Sequence, residues 1–303
     1  MLADDVERYL SIRKTLGFKL HKLGRQLRQY ARFAGDRGDN HVRASSALAW
    51  ATMAPSPSSR HRRMRGVAGL ARFLHAEDVG HEVPSASAFQ HRSSRPLPYI
   101  YTPAEIVRLL EAARRLRCSY PLRRDVYATL LGLIASTGLR ISEALDLRLD
   151  DVQPDGVLRI RSTKFGKSRL VPLHPTVREA LRQYLDVRGR AAVTDDHVFL
   201  SASERRIGCG ILSYTFSHIR KLAGIEPARA RAPRIHDLRH TFATRSLEAC
   251  PADRRVIGRH FVALATYLGH VEARSTWWYL EATPELMTDI ASAAGALMRE
   301  GRP

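Results

Sequence analysis

Several residues in the 303-residue sequence have the type and the neighbours to handle an anion such as phosphate. Arg140 follows Ser136-Thr137-Gly138 and opens a predicted helix. A helix N-terminus already attracts anions through its free N–H groups and dipole, so a guanidinium there makes a phosphate clamp. Lys164 sits at the tip of a predicted hairpin, where a flexible ammonium can reach a ligand. His236 and Arg239 are three apart on one predicted helix and share a face. His270 follows Leu268-Gly269, where glycine stops a helix and exposes the imidazole. Tyr279 lies in STWWYLEATPE. On a helix, Trp277 shares a stripe with Ala273 and Leu280. Tyr279 lines up instead with Glu272, Ser275, Thr276 and Thr283, on the polar side, which frees its hydroxyl for chemistry. Taken singly, the arginines also fit structural ion pairs, Lys164 a turn lysine and His270 a helix C-terminal histidine.

Other chemistries fit less well. GKS at 166–168 suggests a phosphate loop, but the leading glycine would fall at position 161, which is Arg161. There is no HExxH. His236 and His240 have metal-ligand spacing, yet no cysteine or carboxylate cluster accompanies them, so neither a metal nor another cofactor is implied. Cys118, Cys209 and Cys250 are scattered, which argues against a disulfide framework.

The elements that would carry these residues fall into two parts. The first 80 or so residues are predicted helical, with apolar residues at three- and four-residue spacing in ERYLSIRKTL, KLGRQLRQYARFAG and SRHRRMRGVAGLARFLHAE. In the last of these, Met64, Val67, Leu70, Ala71 and Leu74 form the apolar stripe, and Arg62, Arg63 and Arg65 fall largely off it. Residues 81–101 are rich in Ser and Pro, without helical period, and are expected to be a linker. A new helix starts at TPAEIVRLL, with Thr102 as N-cap, Pro103 at its first position and Glu105 completing a capping box. The second part mixes types. VYATLLGLIAST ends at Gly138, and GVLRIRSTKFGKSRLVPL is a predicted β-hairpin turning at KFGK. Pro175 to Arg188 is a predicted helix and HVFLSAS a short strand. ILSYTFSHIRKLAG, IHDLRHTFATRSLEA, HFVALATYLG, EARSTWWYLEA and PELMTDIASAAGALMRE are further helices. The expected fold class is mainly α with a small antiparallel hairpin (α+β).

Charge points to the partner. The sequence carries 49 Lys+Arg against 30 Asp+Glu, a net charge of +19, which favours a polyanion such as nucleic acid. From His41 to Ala76 there is no acidic residue, while Arg43, Arg60, Arg62, Arg63, Arg65 and Arg72 all fall there. No apolar run approaches the ~18 residues of a membrane span. The start, MLADDVERYL, is acidic where a secretory signal would be basic, so a cytoplasmic, nucleoid-associated protein without a membrane partner is expected.

In order, TGLRISEAL, a hairpin lysine, HDLRHTFA, LGH and a tyrosine nine residues after that histidine resemble the tyrosine recombinases, the phage-integrase family. The resemblance covers roughly residues 100–285 by motif. Each motif alone is weak, but the set in this order and spacing is specific. The resemblance implies a helical DNA core-binding domain (1–80), a linker (81–101), a catalytic domain (102–285) and a C-terminal helix or tail (286–303). It implies that Tyr279 attacks a DNA phosphodiester to give a 3′-phosphotyrosyl bond, and that Arg140 and Arg239 grip the phosphate. His236 assists proton transfer, His270 hydrogen-bonds the phosphate, and Lys164, with Lys167 as fallback, protonates the leaving 5′-oxygen. Glu143 orients Arg140. Arg60, Arg62, Arg63, Arg65, Lys167 and Arg169 are the expected DNA contacts. Double-stranded DNA is the partner, bound by a homo-oligomer that is a tetramer in synapsis. An accessory directionality protein is compatible, and the C-terminal helix docks either in cis or on a neighbouring protomer.

Two features depart from the common pattern. The stretch between HDLRHTFA and LGH, including CPADRRVIGRHF, is long, which leaves the loop ahead of the LGH helix open. WWYLEATPE replaces a commoner Thr-rich lead-in. Together with YLSIRKTLGFK, it resembles recombinases of mobile elements that encode several recombinases. Two other functions use the same residues: a type IB topoisomerase, which shares the phosphotransfer site, and a DNA-binding accessory that keeps the fold.

Overall fold

A computed structural model describes residues 2–18, 20–89, 97–116, 123–161, 168–190, 193–226, 232–250 and 254–269, with backbone only at 123 and 254–257. The chain forms two compact units, Met1–Pro96 and Leu97–Pro303.

The first unit is helical: α1 (Leu2–Thr15), α2 (His21–Asp36), α3 (Ala44–Thr52) and α4 (Pro57–His75). Its core includes Leu10, Leu27, Tyr30, Trp50, Met64, Val67 and Leu70. The apolar stripe of α4 is buried along its length. Ser56 starts that helix by accepting the Ser59 N–H at 3.2 Å, and Pro57 follows at the first position, where a missing N–H costs nothing. Helix α3 is an addition to the three expected helices. Its nine residues, ASSALAWAT, bury Ala47, Trp50 and Ala51 at i, i+3, i+4, too short a run for the period to stand out. The unit also extends past residue 80. His81 is buried and accepts the Val42 N–H at 3.0 Å, Glu82 accepts the Ala44 N–H at 2.7 Å, and Phe89 packs on the core. These residues, expected in the linker, are held by side-chain partners that local composition does not reveal.

The second unit contains α5 (Pro103–Arg114), α6 (Arg123–Thr137), α7 (Ile141–Leu145), a 3-10 turn (Leu149–Asp151), β1 (Val157–Ile160), β2 (Arg169–Pro172), α8 (Pro175–Gly189), α9 (Cys209–Leu222), α10 (Ile235–Glu248) and α11 (Arg254–Leu268). The capping box of α5 forms: the Glu105 N–H donates to Thr102 Oγ1 at 3.2 Å, and the Thr102 N–H donates to Glu105 Oε2 at 2.8 Å. Helix α6 is apolar nearly all round because α5, α8 and α10 pack against it, burying Leu130, Leu131 and Ile134. Tyr101, placed in the linker by composition, is fully buried here, with its N–H on Thr241 Oγ1 of α10. Strands β1 and β2 are antiparallel, with Val157 opposite Pro172 and Ile160 opposite Arg169. The expected strand HVFLSAS makes only isolated bridges, His197 to Arg148 and Leu200 to Arg206. Its ends pair with different segments, so no continuous ladder builds, although Val198 and Phe199 are buried. Helix α11 begins at Arg254, earlier than the helix expected at HFVALATYLG. The helices expected at EARSTWWYLEA and in the C-terminal tail lie outside the described residues.

Candidate active site

Two positive-φ glycines build the site. Gly138 ends α6 with φ +61°, and a Cβ there would meet Phe242 Cδ1 at 2.6 Å and Leu268 Cδ2 at 2.8 Å. It therefore serves both as a left-handed helix stop and as a close contact with α10 and α11. Gly269 ends α11 with φ +68°. Between these stops lie the arginines.

Arg140 caps α7. Its N–H donates to Glu143 Oε2 at 3.0 Å, and its Nη1 donates to Glu143 Oε1 at 2.6 Å. Its Nη2 donates to the Gly269 carbonyl at 2.8 Å. The side chain keeps 28% exposure, so part of the guanidinium faces solvent. Arg239, on α10, is buried; it donates through Nη1 to the Gly138 carbonyl and through Nη2 to the Leu268 carbonyl at 2.9 Å. Both guanidiniums thus converge on the end of α11, where unsatisfied carbonyls carry the negative end of the helix dipole. His236 sits one turn before His240, with the two imidazoles edge to face at 4.7 Å. That is ring packing rather than a ligand set, and among the described residues the pair belongs to no His/Cys/Asp/Glu group that could hold a metal. Burial, together with the charges of Arg239, Arg234 and Arg140, pushes the His236 imidazole down to about 4. It is neutral at physiological pH.

Glu143 accepts four hydrogen bonds, two from Arg140 and two from Arg169. Burial alone would raise this carboxyl, but the hydrogen bonds and charge of Arg169, with those of Arg140, bring it to about 2. Arg169 is the second partner of Glu143. Its side chain, expected at DNA, is 9% exposed and grips Glu143 with both terminal nitrogens at 3.0 and 2.7 Å. Its Nε donates to the Tyr267 carbonyl at 2.8 Å. The signal was present in strand alternation: Arg169 shares a face with fully buried Val171, while Leu170 between them is 59% exposed. A second pair was not anticipated either. Arg159 and Arg161, both on the exposed side, are held by the buried carboxylate of Asp151.

In the first unit, Arg62 and Arg65 are exposed. Arg60 and Arg63 are half-buried and bound to backbone: Arg60 donates to the Ala54 carbonyl at 3.0 Å, and Arg63 donates to the Trp50 carbonyl at 2.8 Å and stacks over the Trp50 ring. Lys164, Lys167, His270 and Tyr279 lie outside the described residues.

Residues 100–285 match the Phage integrase family. Among relatives, y4rB of Sinorhizobium fredii (strain NBRC 101917 / NGR234), named for integrase or recombinase function, is 38% identical and covers 94% of each chain. The tyrosine recombinase XerD of Caulobacter vibrioides is 32% identical over 81% of this chain and 77% of that protein. In fold, the chain resembles a lambda integrase tetramer bound to a Holliday junction, with TM-score 0.67, 18% identity, and 91% and 76% of the two chains covered. It also resembles the Tn1549 transposon integrase in complex with transposon right end DNA, with TM-score 0.65, 18% identity, and 96% and 99% covered. The chain belongs to the phage integrase family and is a site-specific tyrosine recombinase.

Proposed function

We propose that this recombinase cuts and rejoins double-stranded DNA with Tyr279 as nucleophile, Arg140, Arg239 and His236 around the scissile phosphate, and Lys164 as the acid for the departing strand. One observation carries this reading. Arg140 and Arg239 both hydrogen-bond to the carbonyls that immediately precede His270, nine residues before Tyr279. The phenol oxygen attacks phosphorus and the bond to the 5′-oxygen breaks, leaving a phosphotyrosyl ester and a 5′-hydroxyl. The ester conserves the bond energy, and the 5′-hydroxyl of a partner strand then reverses the step. Two guanidiniums stabilise the charge on the non-bridging oxygens; losing one such donor costs roughly 3 kcal/mol, or 10²–10³ in rate. Lys167 is the second candidate for the acid, and His270 a further hydrogen-bond donor to the phosphate.

The net charge of +19 supports DNA as the partner, with exposed Arg62 and Arg65 as backbone contacts. Arg60 and Arg63 fit that role less well, since backbone carbonyls engage them. The lambda integrase structure supports assembly into a tetramer on DNA, and the Tn1549 integrase supports a mobile element as its setting. Because guanidiniums supply the positive charge, the cleavage step is expected to proceed in EDTA. The test is a covalent protein–DNA adduct formed on nicked duplex with chelator present. Loss of the adduct on chelation would overturn the metal-free mechanism, and relaxation of supercoiled plasmid without any specific site would favour a topoisomerase.

A further inference from the structure

Three consecutive carbonyls at the end of α11 accept from three different arginines. Tyr267 O takes Arg169 Nε at 2.8 Å, Leu268 O takes Arg239 Nη2 at 2.9 Å, and Gly269 O takes Arg140 Nη2 at 2.8 Å. Two of these arginines are the proposed phosphate ligands. Arg169 is not: it comes from β2, and its guanidinium lies on the bare Cα of Gly269, where a Cβ would fall 2.7 Å from Nη1. We propose that Arg169 is a positioning residue for strand cleavage, acting through Glu143 on Arg140 and through Tyr267 on the segment that leads to Tyr279. The inference rests on the recombinase reading above.

The charges explain why such a residue is needed. Glu143, 7% exposed, must be balanced if it is to stay ionised. With Arg140 as its sole partner, the carboxylate would draw that guanidinium into a bidentate pair and neutralise it. Arg169 supplies a bidentate partner of its own through both terminal nitrogens. Arg140 then needs to give Glu143 only Nη1, and it keeps net positive charge for a phosphate. The three arginines and one carboxylate carry a net +2 with Arg169 and +1 without it. Arg169 also stands opposite Ile160 in the β1–β2 pair, whose strands flank Lys164 in sequence. One side chain therefore joins the β1–β2 pair, the Arg140 helix and the end of α11. Nε, Nη1 and Nη2 each already donate once, and the side chain is 9% exposed, which leaves little of it for a phosphate.

The test compares wild type with Arg169→Met, Arg169→Lys, Glu143→Gln and the Glu143→Gln/Arg169→Met double variant. The substrate is a nicked duplex built on the site at which wild type becomes covalently trapped. Single-turnover adduct formation at saturating DNA is measured alongside the Kd for the uncut duplex. Arg169→Met is expected to slow adduct formation by on the order of 10²-fold, the effect of a misplaced catalytic group, while Kd stays within about threefold. The double variant is expected to be no slower than Arg169→Met, because both changes remove one interaction. If the Met variant fails to fold, Arg169→Lys carries the test, since it keeps the charge and loses the fork. Its adduct formation should be about tenfold slower at unchanged Kd. Equal rates in wild type and the Lys variant would overturn the proposal. A weakened Kd with a shallower salt dependence at full cleavage rate would do the same and make Arg169 a DNA contact. If wild type itself forms no adduct, the recombinase mechanism fails instead.

Discussion

His236 is neutral in the free protein because its environment already holds three positive charges and little water. Burial comes first among the causes, and Arg239, Arg234 and Arg140 act in the same direction. On the proposed function, a phosphodiester between Arg140 and Arg239 would bring the opposite charge and raise the imidazole pKa, so that proton-transfer capacity would arrive with the DNA. In the DNA-free protein, NMR titration of the histidine ring is expected to place His236 near 4; a midpoint near 6.5 would show that it is not held this way. The sign for stability follows. An unfolded His236 takes up a proton below about 6.5 and the folded one does not until about 4, so this group costs stability as pH falls through that window. The placement of Arg140 at a helix start, and of His236 and Arg239 on one helix, was legible in sequence. Arg169 was misread. Charge alone suggested a DNA contact, whereas its alternation with Leu170 and Val171 pointed inward.

Helix ends, more than helix bodies, set the geometry. Gly138 and Gly269 stop α6 and α11 with positive φ, and each leaves room that a methyl group would fill, against Phe242 and Leu268 in one case and Arg169 in the other. Gly138→Ala is expected to destabilise the catalytic unit by about 2 kcal/mol or more, from left-handed backbone strain and the clash together. Gly189→Ala, at the end of α8 with nothing within 4 Å of the added Cβ, is the control. Thermal melts would measure both, and an unchanged Tm for Gly138→Ala would refute the packing role. Long amphipathic helices and the Thr102 cap were readable from local pattern. The bridges around HVFLSAS and the anchoring of His81, Glu82 and Tyr101 were not. Their partners lie far away in sequence, and local composition carries no trace of them.

As a protein, the chain combines a helical unit rich in arginine with a unit in which three arginines meet at one helix end. No helix among the described residues is long and apolar enough to cross a membrane. Composition changes sharply near residue 81, but the N-terminal unit runs on past Phe89. The proposal of Tyr279 as nucleophile rests on its spacing from His270 and the family motif, since both residues lie outside the described ones. The central claim is that Tyr279 forms the bond to DNA, and one comparison tests it most directly. Wild type and Tyr279→Phe are incubated with a nicked duplex from which the released 5′ fragment diffuses away, and denaturing gels are then scored for covalent protein–DNA complex. Wild type is expected to accumulate the complex, while Tyr279→Phe binds the same duplex and gives none. A covalent complex that persists in Tyr279→Phe would contradict the assignment.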